Sequence, residues 1–262
     1  MRRPEIALAG QLGQCIRMMN RRFLGRALLG ALFLLLVVGG RVAYQEIGRT
    51  FSGDPSVWEP EIAAFEREDR ESPPPRDAIL FVGSSSIRFW DELAGDMAPM
   101  TVIRRGFGGA KLSDLAHFAH RIIVPYQPRA IVIHAGGNEL TEAPGNVRRT
   151  PEEAHADFEL LVSDIRSALA DVPIYFLALR PSRLPGARDQ LLGLIRTACE
   201  SDPQLHYLDA GSALQMADGS PDPSLIGWDF IHLNRAGYAA WAPPIRDRLL
   251  RDLGPGRLVE GP

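Results

Sequence analysis

Residues 79–90 read ILFVGSSSIRFW, an apolar run that stops at a glycine and passes into three serines. A short run with no polar residue inside it predicts a strand buried on both faces, because a half-exposed strand would alternate. The serines suit a turn into a helix, where small hydroxyl side chains serve as caps. Further runs of this kind stand at 101–103 (TVI), 130–134 (AIVIH), 173–179 (PIYFLAL) and 205–208 (LHYL). Helical stretches separate them at about 86–94, 111–124, 151–170 and 187–201, and a last helix covers about 235–251. Apolar strands alternating with helices predict one α/β domain, a three-layer α/β/α sandwich around a five-stranded parallel sheet. A dinucleotide-binding sheet fits less well, since no glycine-rich phosphate loop follows the first strand. Ligands of such sheets sit beyond the carboxyl ends of the strands, so chemistry is expected in the residues just after each run.

The chain has 262 residues, 45% of them hydrophobic, which suits one sizeable domain plus an appendage. Its net charge of −3 is unevenly placed. Residues 1–41 hold seven Arg and one Glu, a sum of +6, which leaves −9 for the remainder. A basic head on an acidic body argues against a nucleic-acid partner, which would need a basic body. Cys15 and Cys199 are too few for a disulfide framework. Among 29 basic residues Lys111 is the single lysine, a bias that carries no functional inference by itself.

The segment RRFLGRALLGALFLLLVVGGRVAYQE, residues 21–46, has the layout of a signal sequence, with arginines ahead of a dense apolar run. Arg41 falls where a cleavage site needs a small residue, which favours an uncleaved signal anchor over a removable peptide. The run is short for a span, but flanking arginines can snorkel. Positive charge upstream keeps the amino end in the cytoplasm and puts the body on the extracytoplasmic side, periplasmic or extracellular. The expected organisation is a basic tail over 1–23, a membrane helix over 24–43, a linker over 44–56, the domain over 57–254 and a tail over 255–262. Trp58, Ile62 and Phe65 share one face of a first helix, which SPPP at 72–75 ends.

Four turns after predicted strands carry candidate chemistry. Gly83-Ser84-Ser85-Ser86 enters a helix, so a serine there combines a projecting hydroxyl with a free backbone N–H. Helix capping explains the same serines, and the stretch is not the G-x-S-x-G elbow. RGFGGAK at 105–111 brings Gly106, Gly108 and Gly109 to a helix start, where close approach and free N–H groups suit either an oxyanion donor or a plain tight turn. HAGGNEL at 134–140 offers the Asn138 amide, a neutral donor, although Asn is also a common turn residue. GWDFIHLN at 227–234 places Asp229 three residues before His232, ahead of a helix that Asn234 would cap. A carboxylate so placed can orient an imidazole and stabilise its cation. Asp114, His117 and His120 have a spacing that metal ligands can use, but a solvated helix face explains them better. No metal is expected.

These blocks, from about Ile79 to Trp241, resemble the SGNH hydrolases, also called the GDSL-type esterase superfamily. GSSSIR and RGFGG resemble one branch of it. The resemblance implies catalytic Ser85, Asp229 and His232, with an oxyanion hole of Ser85, Gly109 and Asn138. It fits a flavodoxin-like strand order and requires no cofactor. Ser84, Glu139, Phe230 and Arg104 depart from the commonest pattern at positions that shape loops, and Ser84 and Ser86 stay open as nucleophiles. The implied reaction is hydrolysis of a small acyl or acetyl ester through an acyl-enzyme. Alternatives are acyl transfer to a sugar hydroxyl and a membrane-tethered, non-catalytic scaffold. Candidate substrates include an acetylated sugar or a lysophospholipid. Phe107, Arg180 and Trp228 are candidate substrate-binding residues, and Phe230 and Arg183 could join them.

Overall fold

The computed structural model describes residues 26, 28–41, 48–141, 148–181 and 186–254. By its contacts the chain divides into two units, Met1–Gly48 and Arg49–Pro262. The second unit holds five strands: β1 (Ile79–Gly83), β2 (Val102–Gly106), β3 (Ala130–His134), β4 (Ile174–Leu177) and β5 (Leu205–Leu208). All pair in parallel, in the order β2-β1-β3-β4-β5. The chain passes from β1 to one neighbour and then back across to the other, which makes the carboxyl end of β1 the natural ligand position.

Successive strand residues point to opposite faces, and both faces are covered. Leu80, Val82, Ile131, Ile133, Ile174 and Phe176 enter one core. Ile79, Phe81, Ala130, Val132, Tyr175 and Leu177 enter the other. Each buried Leu, Ile, Val or Phe side chain among them contributes about 1.5–3 kcal/mol relative to exposure. The covering helices are α1 (Glu59–Glu71), α2 (Ser85–Arg88), α3 (Leu93–Asp96), α4 (Leu112–Ile122), α5 (Pro151–Ala168), α6 (Gly186–Ser201) and α7 (Arg235–Leu253). α1 stops at Ser72, just before three prolines. A reciprocal cap of Thr150 and Glu153 starts α5, and Asn234 caps α7 by accepting from the Gly237 N–H.

Two expectations need correction. The single helix over 86–94 is two one-turn helices, α2 and α3. Trp90 turns into the core between Tyr238 and Trp241, with ring centroids 5.3 Å from each, and its Nε1 donates to Asp96. Tertiary packing there overrides a continuous helical pattern. The stretch 44–56 is not free linker over its described residues. Arg49 donates to the Val57 carbonyl at 2.8 and 3.0 Å and pairs with Glu61, and a 3₁₀ turn, Pro55–Trp58, starts on an Asp54 cap. A helix covers residues 28–41 with its leucines and valines exposed, but among the described residues no helix is long and apolar enough to cross a membrane. The expected tails at 1–23 and 255–262 lie outside the described residues, as do residues 44–47 and Arg183.

Candidate active site

β1 ends at Gly83, and Ser84 makes the turn with extended backbone as the N-cap of α2. Its side chain makes no capping bond. Ser85 is thus the first helical residue, where the backbone N–H has no partner inside the helix. Ser84 and Ser86 are buried, at 8% and 5% exposure, while Ser85 is half-buried and open to one side. That side holds His232, whose Nε2 lies 2.9 Å from Ser85 Oγ. On the far side of the ring, Nδ1 lies 2.6 Å from Asp229 Oδ2. Structure therefore separates the three serines that the sequence left open: only Ser85 reaches the imidazole among the described contacts.

The loop before α7 is built to hold that ring. Asp229 Oδ1 accepts from the backbone N–H groups of Ile231 and His232, both at 3.0 Å. Gly227 N–H donates to the His232 carbonyl at 2.7 Å. This folding puts Phe230 at a φ of 60°. Burial pushes the Asp229 carboxyl up, but hydrogen bonds from His232 and Ile231 outweigh it and hold its pKa at about 2. Phe89 rests edge-on against the imidazole, 4.8 Å between centroids. Arg180, just beyond β4, donates from Nη2 to the Ile231 carbonyl at 2.9 Å, so it braces the same loop. Tyr238, on the first turn of α7, donates to the Ser86 carbonyl at 2.9 Å. It ties the helix that follows His232 to the turn that carries Ser85. No local sequence signal distinguished Tyr238 from an ordinary core aromatic.

The donors of a possible oxyanion hole come from the next two strand ends. The Asn138 side-chain amide donates to the Ala110 carbonyl at 3.0 Å, so the turn after β3 is tied to the glycine loop after β2. Among the described residues, neither the Ser85 nor the Gly109 N–H donates to a protein acceptor. Glu139 is fully buried beside Asn138. Its Oε1 accepts from the Leu112 N–H at the start of α4, and its Oε2 has no partner among the described residues. Burial pushes its pKa up to about 7.

Other expected site residues lie elsewhere. Phe107 is fully buried against Trp58 and Phe118, at 5.5 and 6.4 Å. It packs the glycine loop and exposes no surface to a ligand, which corrects its expected place among the substrate-binding residues. Trp228 and Phe230 are 92% and 90% exposed and flank Asp229, with Ile231 at 63%. They remain available to a ligand. Asp114 is not on a solvated face. It is 2% exposed and accepts from the Lys111 N–H at 3.0 Å and from Trp58 Nε1 at 3.2 Å. His117 and His120 are exposed, and the described residues contain no cluster that could hold a metal. His134 is buried with Nδ1 3.0 Å from the Leu177 carbonyl, and burial lowers its pKa to about 4, so it is a neutral core residue. A cavity of about 600 Å³ beyond β4 and β5, lined by Arg188, Arg196 and Tyr207, does not include Ser85 or His232.

Comparison with known proteins places this geometry. The profile of the GDSL-like Lipase/Acylhydrolase family matches residues 72–240. The chain is similar to the platelet-activating factor acetylhydrolase IB subunit alpha1 of Homo sapiens, at 23% identity over 188 residues, which cover 66% of this chain and 75% of the relative. A GDSL-like lipase from Bacteroides thetaiotaomicron superposes with a TM-score of 0.60 at 14% identity, over 73% of this chain and 98% of the other. An acetylxylan esterase from Geobacillus stearothermophilus superposes with a TM-score of 0.56 at 16% identity, over 69% and 95%. With the profile spanning β1 to the first turn of α7, the chain belongs to the GDSL-like lipase/acylhydrolase family and is a carboxylic ester hydrolase.

Proposed function

We propose that the chain hydrolyses a short-chain acyl ester through an acyl-enzyme on Ser85. The observation that carries this reading is the relay Ser85–His232–Asp229, with contacts of 2.9 and 2.6 Å. His232 takes the proton of the Ser85 hydroxyl as Oγ bonds to the ester carbonyl carbon. The resulting oxyanion accepts hydrogen bonds from the Ser85 and Gly109 N–H groups and the Asn138 amide. His232 then gives its proton to the departing alkoxide as the carbon–oxygen bond breaks. Water repeats the cycle: it loses a proton to His232, attacks the acyl carbon, and Ser85 leaves with the proton returned. Asp229 stays ionised throughout and stabilises the imidazolium.

An acetyl ester is the favoured substrate class. The curated relative is named an acetylhydrolase and one structural relative an acetylxylan esterase, so both act on acetyl groups. Exposed Trp228, Phe230 and Ile231 beside the relay supply apolar faces for the alcohol portion, whether a sugar ring or a lipid. A screen of the purified chain against p-nitrophenyl esters from acetyl to octanoyl, with acetylated xylosides and acetylated glycerolipids, tests this. Highest kcat/KM on acetyl esters supports it, and a clear preference for octanoyl would defeat it.

The N-terminal apolar segment supports a location at a membrane, with the domain on its extracytoplasmic side. Leu28, Leu29 and Phe33 are each more than 60% exposed on the helix over 28–41, and arginines precede it. Recovery of the full chain in the membrane pellet after carbonate extraction is the expected result, and recovery in the supernatant would end this part of the proposal.

A further inference from the structure

The two glycines that end the β2 loop do not have left-handed backbone; Gly108 and Gly109 are absent from the positive-φ residues. Their lack of a side chain answers a different need. A Cβ on Gly108 would collide with the Trp58 ring, and one on Gly109 would collide with the Thr50 side chain. Both partners come from the segment 49–58, which precedes α1 and runs from the expected linker, 44–56, into the start of the domain. That segment lies directly on the loop whose Gly109 N–H donates to no protein acceptor among the described residues.

Lys111 holds it there. Its ammonium donates to the Thr50 carbonyl at 3.0 Å and the Ser52 carbonyl at 2.6 Å. The side chain is buried at 4% exposure. This is the single lysine among 29 basic residues, so a chain that otherwise uses arginine uses an ammonium here. A compact tetrahedral donor can reach two carbonyls converging from one short turn. A planar guanidinium presents a fixed fork and needs more room. The rest of the segment is pinned from both ends. Arg49 bonds the Val57 carbonyl and stacks over Trp58 at 4.8 Å, and Trp58 donates to Asp114 on α4. From the turn after β3, Asn138 and Glu139 bond Ala110 and Leu112. The loop 108–112 is therefore held by two segments distant in sequence, one before α1 and one after β3.

We propose that residues 49–58 form a strap that is part of the ester-cleaving site, with Lys111 as the positioning residue that seats Thr50 on Gly109. The proposal rests on the reading of Gly109 as an oxyanion donor. It gives the segment that follows the N-terminal apolar helix a direct hold on the rate. Loosening the strap should let Gly109 N–H drift while leaving the Ser85–His232–Asp229 relay intact.

The test uses the full chain in four forms: Lys111→Met, Thr50→Gly, Gly109→Ala, and Gly109→Ala combined with Thr50→Gly. Each is assayed for kcat and KM on p-nitrophenyl acetate, with thermal unfolding as a check of fold. Misplacing a donor by about 1 Å costs on the order of 10²-fold, so Lys111→Met should lose roughly that much in kcat with KM within about threefold. Gly109→Ala should lose a comparable factor, and removing the Thr50 side chain should restore about tenfold of it, because the collision partner is gone. A kcat for Lys111→Met within about twofold of wild type would overturn the proposal. If Lys111→Met does not fold, the glycine pair decides alone: no recovery in the double variant overturns it. Wild-type turnover and fluorophosphonate labelling of Ser85 check the underlying reading. Their absence sinks both readings, whereas normal wild-type rates with unresponsive variants sink only the strap.

Discussion

Ser85 Oγ and His232 Nε2 stand 2.9 Å apart although 147 residues separate them along the chain. The hydroxyl arrives at the carboxyl end of β1, and the imidazole arrives on the loop that leads into α7. Their approach is fixed on both sides. Asp229 holds the far nitrogen of the ring, and Tyr238 joins α7 to the carbonyl next to Ser85. In the proposed mechanism a proton passes between them, across a distance that these two contacts help to hold.

The three adjacent serines should separate cleanly on mutation. Ser85→Ala is expected to lose at least about 10³-fold in ester cleavage and all fluorophosphonate labelling. Ser84→Ala and Ser86→Ala should keep kcat within about tenfold, since their hydroxyls are buried away from the imidazole. Labelling followed by peptide mass mapping checks it. A labelled Ser84 or Ser86 would contradict the assignment.

Asp229→Asn should lower kcat by about 10²–10⁴-fold with a smaller change in KM, because the ring loses its orienting charge while the loop keeps a similar shape. Against burial, its hydrogen bonds lower the Asp229 pKa to about 2, so an acid limb near pH 4 is expected to come from another group. The pH profile of kcat/KM in wild type and Asp229→Asn measures both points.

Asn138→Ala removes the amide proposed as an oxyanion donor and its bond to Ala110 together. A loss of about 10²–10³-fold in kcat is expected. Asn138→Asp should be worse, since it puts negative charge where an oxyanion must form. Steady-state kinetics on one acetyl ester suffices, and equal rates for wild type and Asn138→Ala would remove Asn138 from the mechanism.

Glu139 supplies a stability test with a definite sign. Burial raises its folded pKa from 4.5 to about 7. Between those values the unfolded chain releases a proton that the folded chain keeps, so ionisation favours unfolding as pH rises. The contribution is fully present below about pH 4.5 and is lost as pH climbs through about 7. Glu139→Gln cannot ionise, so its melting temperature relative to wild type should rise between pH 5 and pH 8. A constant difference across that range would show that Glu139 does not titrate there.

Several features of the fold follow from local pattern alone. Runs such as Ala130–His134 are apolar at every position, and no solvent-facing strand could be. Stop signals were equally local: three prolines after Ser72, and Asn234 ahead of α7. Candidate chemistry was legible because it sits just after the strands, where a parallel sheet gathers its loops. The failures have a shared cause. Phe107 looked like a pocket residue and Asp114 like part of a solvated face, but Trp58, 56 residues from Asp114 in sequence, covers both.

Local pattern sets the order of the elements and the kinds of side chain placed at each strand end, because hydrophobic periodicity and turn chemistry act over a few neighbouring residues. Tertiary structure alone decided which of three serines meets the imidazole, why Gly108 and Gly109 carry no side chain, and how far burial shifts Glu139. Those outcomes depend on contacts between segments distant in sequence, and on how much water is left around each group once the segments have met.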